Sequence, residues 1–279
     1  MNFYKNISII IVSYKSKYKV LKLIKNISCK FNIIIIENSK DQSLKEELKY
    51  SKNIKIFFKN NIGYGSAANF ARNYIDTEYF LLCNPDLKYL SNKKIGDLYN
   101  EAKKLNENFL CLGPSYKKEK SKNNKKILKV KKISGACMLI NKKIFNLING
   151  FDESIFLYFE EDDLCRRGNK NKFYSYRANN IFIDHKIGSS IQIKDKNEVN
   201  KIKELTLWHF IWSKYYYFRK HYGELISLIL FIPTLIRSII KLLYFKMTSN
   251  KAGIWKYQIR LSGLLSSIKK KKSFKRISI

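Results

Sequence analysis

The stretch Ile7–Ser13, ISIIIVS, is an almost unbroken run of β-branched apolar residues. A strand with one solvent-exposed face alternates apolar and polar residues, so an unbroken apolar run predicts a strand buried on both faces. Residues 18–28 then show helical spacing, with Val20, Ile24 and Ile27 on one side. A buried strand followed by an amphipathic helix predicts the first unit of an α/β fold.

The alternation of strands and helices continues along the first third of the chain. The sequence predicts strands at Phe31–Ile36, Ile54–Phe58 and Tyr79–Cys83, and helices at Ser43–Tyr50 and Ser66–Tyr74. Strands that alternate with helices indicate an α/β fold with a mostly parallel sheet.

The middle of the chain predicts one long loop and further short elements. Lys117–Lys132 is rich in lysine and asparagine, which is typical of a mobile surface loop. Ile133–Ile140 is a predicted strand that opens with small residues, and these let a ligand or another backbone come close. A short helix is predicted at Asn141–Leu147, and Phe173–Tyr176 and Ile181–Asp184 read as strands.

Polar residues follow four of the predicted strands where each strand ends. They are Ser13 and Tyr14, Glu37 and Asn38, Asn61 to Gly63, and Asn84 to Asp86. In parallel sheets, ligands bind at the carboxyl ends of the strands, so four polar ends at one edge predict a binding site. The alternative is that each is an ordinary polar turn.

The segment Phe151–Arg167, FDESIFLYFEEDDLCRR, holds six carboxylates in a chain whose formal net charge is +33. One interpretation is a solvated helix N-terminus, where acidic residues suit the helix dipole. The other is an active site that needs a general base beside a cation.

Charge and cysteine content narrow the class of protein. An excess of positive charge this large suggests an anionic partner: a nucleic acid, a nucleotide or a membrane surface. The five cysteines are scattered without CxxC spacing, which argues against a zinc site or a disulfide framework and fits a reducing compartment. The apolar run near the N-terminus is short and lacks a cleavage site, so no signal peptide is predicted.

The C-terminal third predicts helices that associate with a membrane. Val199–Tyr222 has helical spacing and many aromatic residues, and Leu225–Phe245 is long and apolar enough to consider as a membrane span. Pro233, Arg237 and Lys241 argue against spanning, because a charge at the bilayer centre costs about 2.5–3.5 kcal/mol. We therefore expect an in-plane helix or a broken helical pair.

The end of the chain continues this pattern. Residues 255–279 keep apolar helical spacing and end in a lysine-rich tail that would attract an anionic leaflet. The predicted organisation is a domain over residues 1–200 and a membrane-associating helical appendage over residues 201–279. The alternatives are a helical cap on the first domain and a true membrane span.

Seven segments together resemble one known family. They are ISIIIVSYKS, IIIIENSKD, NNIGYGSAANFA, LLCNPDL, SGACMLINKKIF, GFDESIFLYFEEDDLCRR and HKIGSS. In this order they are similar to family-2 glycosyltransferases with the GT-A fold, a Rossmann-like mixed, mostly parallel sheet flanked by helices. The bacterial rhamnosyltransferase-like branch is the most similar, and the resemblance covers residues 5–220.

The resemblance implies a role for each polar strand end. Asp86 of the segment Asn84-Pro85-Asp86 would bind a divalent cation, Mg²⁺ or Mn²⁺, and His185 would complete the metal or diphosphate site. The residues implied for donor binding are Ser13, Tyr14, Glu37, Asn38, Asn61, Gly63 and Asn84. Glu37 stands where the family more often has aspartate.

The resemblance also assigns the acidic segment. Its E-D-x-D pattern matches Glu160 to Asp163, so Glu161 would be the general base, and a shift of one residue would make it Asp162. Glu160 and Asp163 would orient the site and bind acceptor hydroxyls. Asp152 would lie in the turn on the acceptor side.

The resulting hypothesis is an inverting glycosyltransferase on the cytoplasmic face of the membrane. By resemblance it would transfer rhamnose from dTDP-L-rhamnose, or a sugar from a related dTDP or UDP donor, to a lipid-linked or cell-surface polysaccharide acceptor. A basic nucleic-acid-binding protein is one alternative, but no nucleic-acid module is recognisable and the acid cluster would repel phosphates. A catalytically inactive GT-A-fold binding protein is the other.

Overall fold

A computed structural model describes residues 3–27, 30–105, 108–116, 126–185 and 195–276. The chain forms two compact units. Unit 1 comprises residues 1–152 and 160–192, and unit 2 comprises residues 153–159 and 193–279. The division at residue 200 that the sequence suggests stays a prediction, and each unit is described by itself below.

Unit 1 alternates strands and helices. Its strands are β1 (Ile7–Ser13), β2 (Asn32–Glu37), β3 (Ile54–Phe58), β4 (Tyr79–Cys83), β5 (Leu87–Lys88), β6 (Phe109–Ser115), β7 (Ile127–Val130), β8 (Cys137–Asn141), β9 (Tyr174–Phe182) and β10 (Asp184–His185). Its α-helices are α1 (Lys17–Lys25), α2 (Ser43–Leu48), α3 (Tyr64–Arg72), α4 (Asn92–Lys103), α5 (Lys142–Leu147) and α6 (Glu160–Lys170).

The main sheet has the order β3-β2-β1-β4-β8-β6-β9-β7. Strands β3, β2, β1 and β4 are mutually parallel, whereas β8 runs antiparallel to both β4 and β6. Strand β1 is buried along its whole length: Ile9 packs in the apolar cluster that includes α1, and Ile10 packs in the cluster that includes α3. The prediction of a mixed, mostly parallel sheet flanked by helices is confirmed.

Two short strands form a separate ribbon. Strands β5 and β10 pair antiparallel, with Leu87 opposite His185. This register brings the residue before β5, Asp86, close to the end of β10, and the ribbon therefore shapes the site described below.

Three sequence-based boundaries need correction. The predicted loop Lys117–Lys132 contains strand β7, because Ile127, Leu128 and Val130 pair with β9 at the edge of the sheet. Residues 117–125 of that loop lie outside the described residues. Strand β8 begins at Cys137 rather than at residue 133, and the two predicted strands from residue 173 onward form one strand, β9, followed by β10.

Unit 2 consists of three long helices in its described part: α7 (Lys196–Tyr222), α8 (Glu224–Met247) and α9 (Lys251–Ile268). Trp208, Trp212 and Tyr215 of α7 are fully buried against the other two helices. Helix α9 approaches α7 closely at Gly263, where a Cβ atom would lie 2.7 Å from the backbone oxygen of Trp208. Larger residues there would separate the helices.

Helix α8 is continuous through Pro233, so the expectation of a broken helical pair is wrong. Among the described residues, α8 is the one helix long and apolar enough to cross a membrane by length and composition. Its mean hydropathy is 2.0 over the most apolar window, and only 17% of that window is buried.

Candidate active site

The carboxyl ends of β1, β2 and β4 lie side by side because the strands are parallel. Ser13 at the end of β1 pairs in register with Glu37 at the end of β2. The segment Asn84–Asp86 follows β4 directly. Strand β3 is parallel to β2, so the segment Asn61–Gly63 that follows β3 lies at the same edge. The structure thus brings all four predicted polar strand ends to one edge of the sheet.

Glu37 is buried and accepts hydrogen bonds at both carboxylate oxygens. The Ser13 hydroxyl donates to Oε2 at 2.5 Å, and the backbone N–H and the hydroxyl of Ser39 both donate to Oε1, the N–H at 2.8 Å. The longer side chain of glutamate is therefore fixed by its own chain. Burial, and then the charge of Glu37, raise the pKa of the neighbouring Tyr14.

Asn38 offers an acceptor in the same pocket. Its amide nitrogen donates to the backbone oxygen of Gly63 at 3.2 Å. Its Oδ1 atom is buried, and no donor among the described residues reaches it. A buried acceptor without a donor costs free energy, and an N–H group of a ligand would remove that cost.

Gly63 adopts a backbone conformation that favours glycine. Its φ is +92°, and it directly precedes α3. The side chain of Asn61, two residues earlier, accepts a hydrogen bond from the Gly63 N–H at 3.3 Å. A glycine here leaves the backbone open to close approach. Asn61 and Gly63 therefore shape the loop beside Asn38.

Asp86 and His185 meet across the β5–β10 ribbon. His185 Nε2 lies 3.3 Å from Asp86 Oδ1, and the Asp86 side chain is almost fully buried. A carboxylate oxygen and an imidazole nitrogen are both ligands for Mn²⁺, and the carboxylate also suits Mg²⁺. The two residues therefore fit a divalent cation, although the described residues contain no group of three or more His, Cys, Asp or Glu placed to hold one. Further ligands would have to come from substrate or water.

Helix α6 sorts its four consecutive acids into two pairs. Residues three apart share a face of a helix, so Glu160 and Asp163 lie together, and both are buried. Glu161 and Asp162 lie on the other side and are partly exposed. The two candidates for the base are therefore the two acids that a substrate could reach in this conformation.

Burial changes the proton affinity of these acids. Loss of hydration, and then the charge of Glu161, raise the pKa of Glu160 well above its usual range. Loss of hydration also raises the pKa of Glu161, although hydrogen bonding from its own backbone N–H and from that of Gly135, and the charge of Lys132, oppose the shift. Asp162 lies 2.9 Å from Lys132 Nζ and is thus engaged by a cation.

Asp163 is held by an ion pair. Arg167 Nε donates to its Oδ2 at 2.7 Å, and the aspartate side chain is fully buried. An acceptor hydroxyl cannot reach this carboxylate while the pair is intact. The role expected for Asp163 at the acceptor side stays a prediction.

The turn Gly135–Ala136 links the end of β4 to helix α6. The backbone oxygen of Ala136 accepts a hydrogen bond from Asn84 N–H at 2.9 Å. The N–H of Gly135 donates to Glu161, and the Gly135 oxygen accepts from the Tyr64 hydroxyl at 2.5 Å. One turn thus contacts both the segment that contains Asp86 and the expected base. The spacing of the sequence did not show that Tyr64 belongs to this group.

Two side chains outside the predicted set of site residues hold the loop before α6. The Asn69 side chain donates to the Phe151 oxygen and accepts from the Phe151 N–H, both at 2.9 Å. Arg167 donates to the backbone oxygens of Ile148 and Gly150. We call Asn69 and Arg167 the loop clamp. The partly exposed Asp152 follows the clamped loop. The sequence signal for Asn69 was its place as a polar residue on the alanine-rich face of α3.

The sheet order, and the polar groups at the carboxyl ends of its strands, define a fold of the GT-A class. The chain belongs to glycosyl transferase family 2, whose family model matches residues 8–188. That match includes every candidate site residue named above.

Individual relatives agree with this membership. The chain is 26% identical over 193 residues to the low-salt glycan biosynthesis hexosyltransferase of Haloferax volcanii, a match that covers 59% of this chain and 62% of that protein. The chain thus spans less than two thirds of the length of this relative.

Solved structures show the fold at low sequence identity. A mannosyltransferase from Pyrobaculum calidifontis in complex with GDP-Man and Mn²⁺ aligns with a TM-score of 0.59 at 9% identity, covering 96% of this chain and 88% of that chain. A TarS fragment of S. aureus in complex with UDP-GlcNAc aligns with a TM-score of 0.52 at 13% identity, covering 95% and 92%.

Proposed function

We propose that this protein is an inverting glycosyltransferase that moves a sugar from a nucleoside-diphosphate donor to an acceptor hydroxyl. The observation that carries the proposal is the Gly135–Ala136 turn, which contacts both Asn84 and Glu161. This arrangement supports Glu161 as a base beside the segment expected to hold the donor diphosphate. Family membership supports the same reaction.

The proposed reaction is a single displacement. The acceptor oxygen forms a bond to the anomeric carbon while the bond to the diphosphate oxygen breaks, and the diphosphate leaves with the electron pair. Glu161 takes the proton of the acceptor hydroxyl. Its raised pKa makes its ionised form a stronger base than an ordinary glutamate.

A divalent cation, Mg²⁺ or Mn²⁺, held by Asp86 and His185 would supply positive charge at the leaving diphosphate. The complex of the Pyrobaculum mannosyltransferase with Mn²⁺ supports this assignment. Asn84, two residues before Asp86, would contact the donor.

Glu161 is the preferred base over Asp162. Burial raises the pKa of Glu161, whereas the Asp162 carboxylate forms a direct ion pair with Lys132 at 2.9 Å. Glu160 and Asp163 are buried, so we assign them to orienting α6 rather than to catalysis. Asp152, which is partly exposed, remains the candidate for the acceptor side.

The donor pocket is assigned to the strand ends. Glu37, fixed by Ser13 and Ser39, gives the pocket a rigid anionic floor, and the buried Oδ1 of Asn38 offers an acceptor to a base N–H. Tyr14, Asn61 and Gly63 complete the donor pocket.

The resemblance to rhamnosyltransferases supports dTDP-L-rhamnose, or a related dTDP or UDP sugar, as donor. A lipid-linked or cell-surface polysaccharide acceptor is supported by the glycan-biosynthesis name of the archaeal relative.

Calorimetric titration with a panel of dTDP-, UDP- and GDP-sugars, with and without Mn²⁺, tests the proposal. We expect metal-dependent binding of one donor class. Asp86→Ala should abolish the metal dependence, whereas Asp76→Ala, which changes an exposed aspartate, should keep it. Donor binding that ignores both the metal and Asp86 would reject the metal site. A folded protein that binds no member of the panel would favour the inactive alternative.

A further inference from the structure

Helix α8 exposes its large apolar side chains, which a helix of a water-soluble protein usually buries. Its outward side is a continuous apolar surface that includes Ile226, Ile229, Ile232, Ile236, Ile240 and Leu243, each 49% exposed or more. We call this surface the α8 apolar face. A helix packed on a soluble core would place these residues inward.

The inward side of α8 carries hydroxyl groups beside its apolar contacts. Ser227 and Ser238 are buried among the helices of unit 2, and their hydroxyls donate to backbone oxygens one turn earlier, those of Gly223 and Thr234. Phe231 supplies the main apolar contact, against Tyr215 of α7. Small or hydroxyl-bearing residues between helices, with large apolar residues outside, are the arrangement of helices surrounded by lipid.

Close helix packing elsewhere in unit 2 follows the same rule. Gly253 and Gly263 of α9 sit where a Cβ atom would clash with Phe245 and with the backbone of Trp208. The Ser267 hydroxyl donates to the Trp212 oxygen at 3.0 Å. Close backbone approach and internal polar contacts therefore add to the aromatic core of the unit, whereas the isoleucines of α8 remain outside.

Positive charge lies at both ends of α8. Lys270 pairs with Glu224 at 2.7 Å, which places the exposed lysines 269–272 beside the first turn of α8. Lys246 and Lys251 are exposed at the other end, and Arg237 is exposed near the middle. A spanning helix would place its two ends on opposite sides of a membrane, whereas charge along the whole helix suits a single anionic surface.

We infer that the α8 apolar face inserts in the plane of an anionic membrane, with both ends of the helix in the same leaflet. The isoleucines would occupy the boundary between headgroups and acyl chains, and the lysines would contact phosphate groups. A second copy of the chain fits this surface poorly, because antiparallel or parallel pairing would bring lysine-rich ends together. The inference rests on unit 2 alone and is independent of the proposed reaction.

Vesicle sedimentation of the full chain tests the apolar contribution. We compare phosphatidylcholine vesicles with vesicles that also contain phosphatidylglycerol, and expect binding to the anionic ones. The triple variant Ile229→Gln, Ile236→Gln and Ile240→Gln should weaken binding by at least about 100-fold, because each change removes apolar area from the interface. The control, Tyr18→Gln with Tyr50→Gln, alters two exposed aromatic residues of unit 1 and should bind as the parent does.

Unchanged binding of the triple variant would overturn the inference, as would equal binding of the parent to vesicles without phosphatidylglycerol. Thermal unfolding of the variant establishes that it folds, since all three side chains are exposed in the parent. Sedimentation equilibrium adds an outcome against the inference: a parent dimer that the triple variant loses would assign the face to a second copy.

Cysteine labelling separates insertion in the plane from spanning. Lys251→Cys and Lys272→Cys mark the two ends of α8, and the parent chain gives the background from native cysteines. In inside-out membrane vesicles from expressing cells, an impermeant maleimide should label both positions without detergent. Labelling of one position only after detergent is added would show a spanning helix and overturn the in-plane geometry.

Discussion

Helix α6 of unit 1 and helix α8 of unit 2 depart from the usual distribution of side chains in opposite directions. Helix α6 buries the carboxyl groups of Glu160 and Asp163, and helix α8 exposes its isoleucines. Both arrangements cost free energy in water. We propose that the buried acids of α6 orient the helix whose partly exposed Glu161 faces a reacting hydroxyl, and that the isoleucines of α8 face lipid.

The largest expected effect tests how α6 keeps a buried charge. Arg167→Ala would remove the Arg167 guanidinium from the buried Asp163 carboxylate and would remove half of the loop clamp. Removing one partner of a buried ion pair typically costs about 3–5 kcal/mol, which we expect to see in denaturant unfolding of the full chain. Lys170→Ala, an exposed change in the last turn of the same helix, should stay within about 0.5 kcal/mol. Equal effects of the two changes would show that the ion pair is unimportant.

The next effect contrasts the pH responses of the two units. Burial lowers the pKa of His209 in α7 to about 4, and its ring is held by the Lys275 oxygen and the Ser273 hydroxyl. The unfolded chain binds this proton near pH 6.5, but the folded chain does not. Protonation of His209 should therefore lower the free energy of unfolding by about 3 kcal/mol as the pH drops from 6.5 to 4.

Unfolding curves measured between pH 4 and pH 8 check this prediction, with fluorescence of the unit 2 tryptophans as the probe. His209→Gln should flatten the curve over that range. A variant that keeps the full pH dependence would assign it to other groups.

The third effect concerns the exposed acids of α6. Glu161→Gln should lower turnover by about 100-fold or more while donor affinity stays unchanged, because the amide cannot accept the proton. Asp162→Asn, measured in parallel by product formation, should have the smaller effect. The reverse order would move the base to Asp162. Neither variant should change vesicle binding, which keeps the roles of α6 and α8 separate.

The smallest effect has the opposite pH sign to that of His209. The pKa of Glu160 is raised in the folded chain, so folding favours its protonated form, and this favourable contribution is lost as pH rises through the folded pKa. Glu160→Gln should therefore stabilise the protein at neutral pH and have no effect below pH 4, where both states are protonated. Destabilisation at neutral pH would show that the ionised carboxylate makes contacts that the fold needs.

Much of unit 1 could be predicted from the sequence. Strands such as β1 and β2 are long apolar runs, and burial on both faces leaves little choice of structure. The edge strand β7 was missed because Ile127 and Val130 lie in a lysine-rich segment, where pairing with β9 overrides local composition. Strand β5 has two residues and no pattern of its own, so only the tertiary fold could reveal it.

The sequence suggested the candidate site residues, but it could not predict their contacts. The sequence supplied Asp86, His185 and Glu161, and spacing alone could sort the acids of α6 into two pairs. It could not say which pair the fold buries. The bonds from Asn69 to the Phe151 backbone, and from the Gly135–Ala136 turn to its neighbours, depend on long-range packing that leaves almost no local trace.

The β5–β10 ribbon makes the site sensitive to how far folding has progressed. Leu87 and His185 pair although they lie nearly a hundred residues apart in the chain. Closing a loop of that length costs about 4 kcal/mol in chain entropy, so the ribbon is stable only once the intervening strands have joined the sheet. Asp86 and His185 therefore come together late in folding. A chain that ends before β10 contains Asp86 but not His185. Tight binding of a nucleotide sugar would therefore indicate that unit 1 has finished folding.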